Sequence, residues 1–124
     1  MPTLKIFRVL VVYNYQPNFY LIRDQLEQLG CNCNVTEAKS GEEAIATFQI
    51  NPFDLVIVDR TLVRMSGTEL AAAIKAIKPQ TPIIMVTGGG EEIEKPPHVD
   101  VLLHRPVTIA DLQKAIETAT ATAS

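Results

Sequence analysis

The sequence predicts an α/β chain: a doubly wound, five-stranded parallel sheet of order 2-1-3-4-5 with a shortened fourth helix. Three observations predict it. Unbroken apolar runs at residues 9–12, 55–58 and 83–86 have the character of strands buried on both faces. The segments between them carry apolar residues at helical spacing, so strands alternate with helices and the sheet must be parallel. Right-handed crossovers then limit the topology, and a half-polar second strand belongs at an edge. The 124 residues, 47% hydrophobic and 20% charged, suit a single domain over 1–124 with a core of about 7–119.

Each element has a local reason. After the strand at 8–13, Pro17 suits the first turn of a helix. That helix turns Phe19, Ile22, Leu26 and Leu29 inward and stops at Gly30. Residues 31–36 alternate small apolar with polar, as an edge strand with one wet face would. Ser40 with Glu43 offers a capping box for a helix through Ala44, Ile45 and Phe48, which Asn51-Pro52 ends. After the strand at 55–59, Ser66 with Glu69 offers a second box. Leu70, Ala73, Ile74 and Ile77 form one face of that helix, up to Lys78-Pro79. Beyond the strand at 83–87, Gly88-Gly89-Gly90 and Pro96-Pro97 leave room for little more than a helical turn. The last strand covers 99–104. Thr108 caps the final helix, Leu112 and Ile116 face the core, and the tail from Thr118 is expected to fray.

Composition excludes several classes. A net charge of −3 argues against nucleic-acid binding. No apolar stretch approaches a membrane span, and residues 1–8 lack a signal-peptide core, so no membrane partner and a cytoplasmic location are expected. Cys31 and Cys33 read as two small hydrophobes on one strand face rather than as a disulfide, redox or metal pair. His98 and His104 lack neighbouring Cys or carboxylate clusters, so no metal is assigned. The glycine run lacks the Lys-Ser/Thr of a phosphate-binding loop.

In such a sheet ligands bind at the carboxyl ends of the strands. Those ends supply Tyr13, Asn14, Asp59, Thr87 and Arg105-Pro106. Five stretches surround them, in order along nearly the whole chain: residues 9–12, 52–59, 65–70 (Met65-Ser66-Gly67-Thr68-Glu69-Leu70), 82–87 and His104-Arg105-Pro106. Together they resemble response regulator receiver domains, the CheY-like branch of the flavodoxin-like folds, and those of hybrid histidine kinases in particular. The resemblance implies a role in a two-component phosphorelay rather than an enzyme activity. It makes Asp59 the phospho-acceptor position, Thr87 and Leu102 the switch positions and Arg105 the position of the family's lysine, before a cis proline. Tyr13 and Asn14 stand where the family has its acidic pair.

The departures from the family pattern bear on chemistry. Tyr13 and Asn14 remove two carboxylates, Leu102 removes the switch aromatic, and Val63 replaces a proline four residues after Asp59. The segment between Thr87 and Arg105 is about four residues shorter than the family's. Mg²⁺ wants several hard oxygens in near-octahedral geometry, and losing two charges weakens its binding. Arg105 is expected to face Asp59 in place of the cation, so that truncating Asp59 leaves Arg105 unpaired and lowers stability. Tyr13 and Tyr15 are expected to fill the space of the lost metal site, and Thr87 to cap the following turn.

The leading expectation is therefore an atypical receiver, a pseudo-receiver that acts by protein–protein contact. It has no catalytic residue and no cofactor, and its partner is a histidine kinase or an output domain, with a homodimer as a further option. Two alternatives stay open. One is a receiver that accepts phosphate on Asp59 from a histidine kinase, in which case Mg²⁺ enters. The other is an unrelated flavodoxin-like ligand-binding protein.

Overall fold

The computed structural model describes residues 6–30, 32–88 and 93–122. Five strands, β1 (Phe7–Val12), β2 (Cys33–Ala38), β3 (Leu55–Asp59), β4 (Ile83–Thr87) and β5 (Val101–His104), pair in parallel in the order β2-β1-β3-β4-β5. Helices α1 (Gln16–Gln28), α2 (Gly41–Ile50), α3 (Gly67–Ile77) and α4 (Ile109–Thr122) cover the two faces. The expected strand order is the observed one.

The core explains why the central strands read as unbroken apolar runs. Every residue of β3 and β4 is buried, as are Val9, Leu10, Val11 and Val12. Alternate residues serve opposite layers. Leu10, Val12, Val56, Val58, Ile83 and Met85 pack with Ala44, Phe48, Leu70 and Ile74 of α2 and α3. Val9, Val11, Leu55, Ile57, Ile84 and Val86 pack with Phe19, Ile22, Leu26, Leu112 and Ala115 of α1 and α4. Each fully buried branched side chain is worth about 1.5–3 kcal/mol, so polar groups are driven to the strand ends.

Local signals account for most helix ends. Gly30 takes φ 73° after α1. Ser66 and Glu69 form the full reciprocal box at α3, whereas Ser40 only accepts from Glu43 N–H, at 3.1 Å. Thr108 and Asp111 exchange bonds in the same way at the start of α4.

Several expectations are corrected. The described part of β2 begins at Cys33 and runs on to Ala38, because Tyr13 N–H still reaches Ala38 C=O. Ala71, not Ile77, completes the buried face of α3, since helical phase joins 67, 70, 71 and 74 and leaves Ile77 exposed at the end. The tail does not fray at Thr118: α4 continues to Thr122, with Ala119 buried and Thr120 Oγ1 donating to Ile116 C=O. Cys33 is half-buried and disulfide-bonded rather than a free thiol. Cys31, Gly89 and Gly90 lie outside the described residues.

Among the described residues none is helical between β4 and β5. Pro96 and Pro97 cannot donate backbone bonds, and His98 adopts φ 72°. Asp100 seats the returning chain instead. Its Oδ2 accepts from Ile83 N–H at 2.8 Å and Lys75 Nζ at 3.0 Å, while its own N–H donates to Ile83 C=O.

The loop after β3 is held against the strand end by Gly67. Gly67 N–H donates to Arg60 C=O at 2.9 Å, and a Cβ there would lie 2.3 Å from Asp59 O and 2.9 Å from Arg60 Cα. Both are backbone atoms that cannot swing aside. Gly67→Ala is therefore expected to destabilise the fold by about 1–3 kcal/mol, read as a lowered urea midpoint with unchanged slope.

Candidate functional site

Parallel strands end together, and that edge gathers the polar residues. Asp59 closes β3 with only 7% of its surface exposed. Arg105 Nη2 donates to its Oδ1. Asn14 N–H reaches its Oδ2 at 3.4 Å, and the Asn18 amide also donates to it. The Arg105 side chain keeps 31% of its surface in water. Its backbone N–H donates to Thr87 C=O at 2.9 Å, and the Arg105–Pro106 peptide is cis.

The other predicted residues separate into two sets. Asn14 and Thr87 share with Asp59 and Arg105 a cleft of about 140 Å³, in which Asp59 is the one carboxylate on the wall among the described residues. Thr87 is buried, and its Oγ1 has no partner among the described residues. The turn that it was expected to cap lies largely outside the described residues. Tyr13 turns away: its ring stacks on Phe19 at 5.2 Å and its OH donates to Glu37 Oε2 at 2.7 Å. Burial, then the Glu37 carboxylate, push its phenol up to about 12, so it carries no charge at neutral pH. Tyr13 thus fills core space, while Tyr15 is 64% exposed at the rim of the cleft. Leu102 is half-buried beside Met85 and packs on the α2–α3 layer. Among the described residues no three His, Cys, Asp or Glu side chains gather as a metal site would require.

Sequence reasoning missed Asn18 and Glu37. Asn18 lies in the first turn of α1, just after the end of β1, a placement at the carboxyl edge that could have found it. Glu37 is placed by the β1–β2 register, opposite Val11, which no local pattern reveals.

The family profile described as response regulator receiver domain matches residues 9–117. The chain belongs to that family. Virulence sensor protein BvgS of Bordetella pertussis is 46% identical over 69 residues, 56% of this chain and 5% of that protein. Autoinducer 1 sensor kinase/phosphatase LuxN of Vibrio campbellii is 32% identical over 111 residues, 87% of this chain and 13% of that protein. The chain therefore spans a small part of the length of these relatives. A receiver domain protein from Clostridium thermocellum superposes with a TM-score of 0.79 at 28% identity, covering 94% of this chain and 95% of that one. Chemotaxis protein CheY4 of Vibrio cholerae gives 0.81 at 24% identity, over 93% and 99%, a likeness of fold. The family match sets aside an unrelated flavodoxin-like protein.

In this receiver the carboxyl of Asp59 is held above its ordinary range. Burial raises it, and the charge of Arg105 with the bonds from Asn14, Arg105 and Asn18 offsets that only in part. The folded state then binds the proton more tightly than the unfolded chain. Stability is fully present below the unfolded value of 3.8 and falls as pH rises through the folded value. Arg105, about a third exposed, can turn to water when unpaired. Asp59→Asn is expected to melt above wild type at neutral pH. Melting curves across the acid range should show the gap closing as pH falls toward 3.8.

Proposed function

We propose that this receiver is an atypical one: a protein-interaction module of a two-component pathway whose state is not set by Mg²⁺-dependent phosphorylation. The observation that carries the reading is the Arg105 guanidinium on Asp59, the one carboxylate that lines the cleft among the described residues. A fixed cation already occupies the electrostatic role of a metal there.

The residues present are a poor fit to Mg²⁺. The ion needs several hard oxygens and retains water in near-octahedral geometry. Both oxygens of Asp59 are engaged, the Tyr13 hydroxyl is committed to Glu37, and Asn14 offers one neutral oxygen. No step through the metal is derived. The reading extends to a non-enzymatic, cytoplasmic domain that meets a histidine kinase or an output domain. Such partners accord with relatives named as a sensor protein and a sensor kinase/phosphatase.

Output follows from the same geometry. A switch needs two states separated by a few kcal/mol. Leu102 has no ring to swing, and it packs against the α2–α3 layer. Partners therefore meet a largely fixed face. One observation favours the rival reading, phosphorylation of Asp59 with altered metal use: Thr87 Oγ1 is buried beside the cleft, with its bonding capacity unused among the described residues.

Two measurements separate these readings. NMR titration should give no saturable shifts at Asn14 or Asp59 with submillimolar Mg²⁺, and a small phosphodonor with Mg²⁺ should leave the intact mass unchanged. A phosphoryl adduct lost in Asp59→Asn would establish the rival. Hydrogen exchange with beryllofluoride should be unaltered over residues 93–105; strong new protection there would show a working switch.

A further inference from the structure

We propose that the cavity between α1 and the β5–α4 connection binds a small apolar carboxylate, anchored by Arg105. This inference does not rest on the reading of Asp59 as unphosphorylated. The cavity encloses about 370 Å³, against about 140 Å³ for the cleft. Small-molecule sites span roughly 300–1,000 Å³ and are mostly apolar with a few convergent polar groups. Val11, Leu21, Ile22, Ile57, Pro106 and Val107 form the apolar wall. Leu21 stands 49% exposed on that wall, so a ligand would remove apolar surface from water. The cavity shares Asn18, Asp59, Val86 and Arg105 with the cleft, but α1 residues Leu21 and Ile22 line it and Thr87 and Gly88 do not.

The hydrogen-bond inventory at its polar end selects the ligand. Asp59 already accepts at both oxygens, from Arg105, Asn14 and Asn18. The Tyr13 hydroxyl is committed to Glu37. Arg105 has five side-chain N–H groups, and among the described residues one of them has a partner. The unmet capacity is therefore for donation, from a planar fork shaped to hold a carboxylate. A monoanion suits the place better than a phosphate, whose second charge would lie beside Asp59. A flat or branched hydrocarbon body would then lie along Leu21, Ile22 and Val107.

NMR titration of the full chain with naphthoate, and with naphthylmethanol as the neutral match, tests this. Naphthoate is expected to give saturable shifts of the Leu21, Ile22 and Val107 methyls, with the alcohol weaker by about tenfold. Arg105→Gln should abolish the preference for the acid, and Val107→Trp, which fills the cavity, should abolish binding of both. Equal binding of acid and alcohol to the wild-type chain would overturn Arg105 as the anchor. Absence of saturable methyl shifts at millimolar naphthoate, or shifts confined to Asn14 and Thr87, would overturn the site itself. Because these readouts need neither metal nor phosphodonor, their failure leaves the reading of Asp59 where it stands.

Discussion

Burial of the central strands on both faces is the constraint from which the site follows. β1, β3 and β4 carry apolar side chains toward α2 and α3 on one side and toward α1 and α4 on the other. Neither face can take a charge cheaply, so the first polar groups appear where the strands stop. Parallel pairing then makes all the stops coincide. Val12 lies opposite Val58, Asp59 opposite Val86 and Thr87 opposite His104. Residues more than forty positions apart, such as Asp59 and Arg105, meet because the sheet permits no other exit.

At that edge, burial and pairing compete on unequal terms. Asp59 is enclosed and gives up most of its hydration, whereas Arg105 keeps about a third of its side chain in water. The arginine solvates its charge partly by itself; the carboxylate depends on its three donors. Desolvation wins the balance at Asp59. That edge carries a neutral amide, Asn14, and a phenol, Tyr13. The phenol is drawn into the α1 layer, where Phe19 and Glu37 receive it.

The connection from β4 to β5 shows how the edge is kept closed with little chain. Asp100 bridges Lys75 of α3 to the first peptide of β4, and so ties β5 to the sheet at its start. Leu102 then settles beside Met85. Among the described residues no helix covers this connection, and the strand register carries the attachment.

Much of this was legible in the residues themselves. Unbroken apolar runs announced the central strands. The Ser66–Glu69 pair, Gly30 and Pro17 marked helix ends through bonds made within a few residues. The strand-end candidates followed from the topology, and Asp59 and Arg105 do meet. What the sequence could not decide were quantities that depend on neighbours distant in the chain. The period of two in β2 did not set its register, so the role of Glu37 stayed hidden. The burial of Thr87, the continuation of α4 past Thr118 and the cavity beside α1 depend on how layers close over one another. Local bonds and periodicity are written in sequence, because a few adjacent residues make them. Burial, and with it the protonation of Asp59 and the shape of the spaces around it, exists only once the sheet and its two helical layers are packed together.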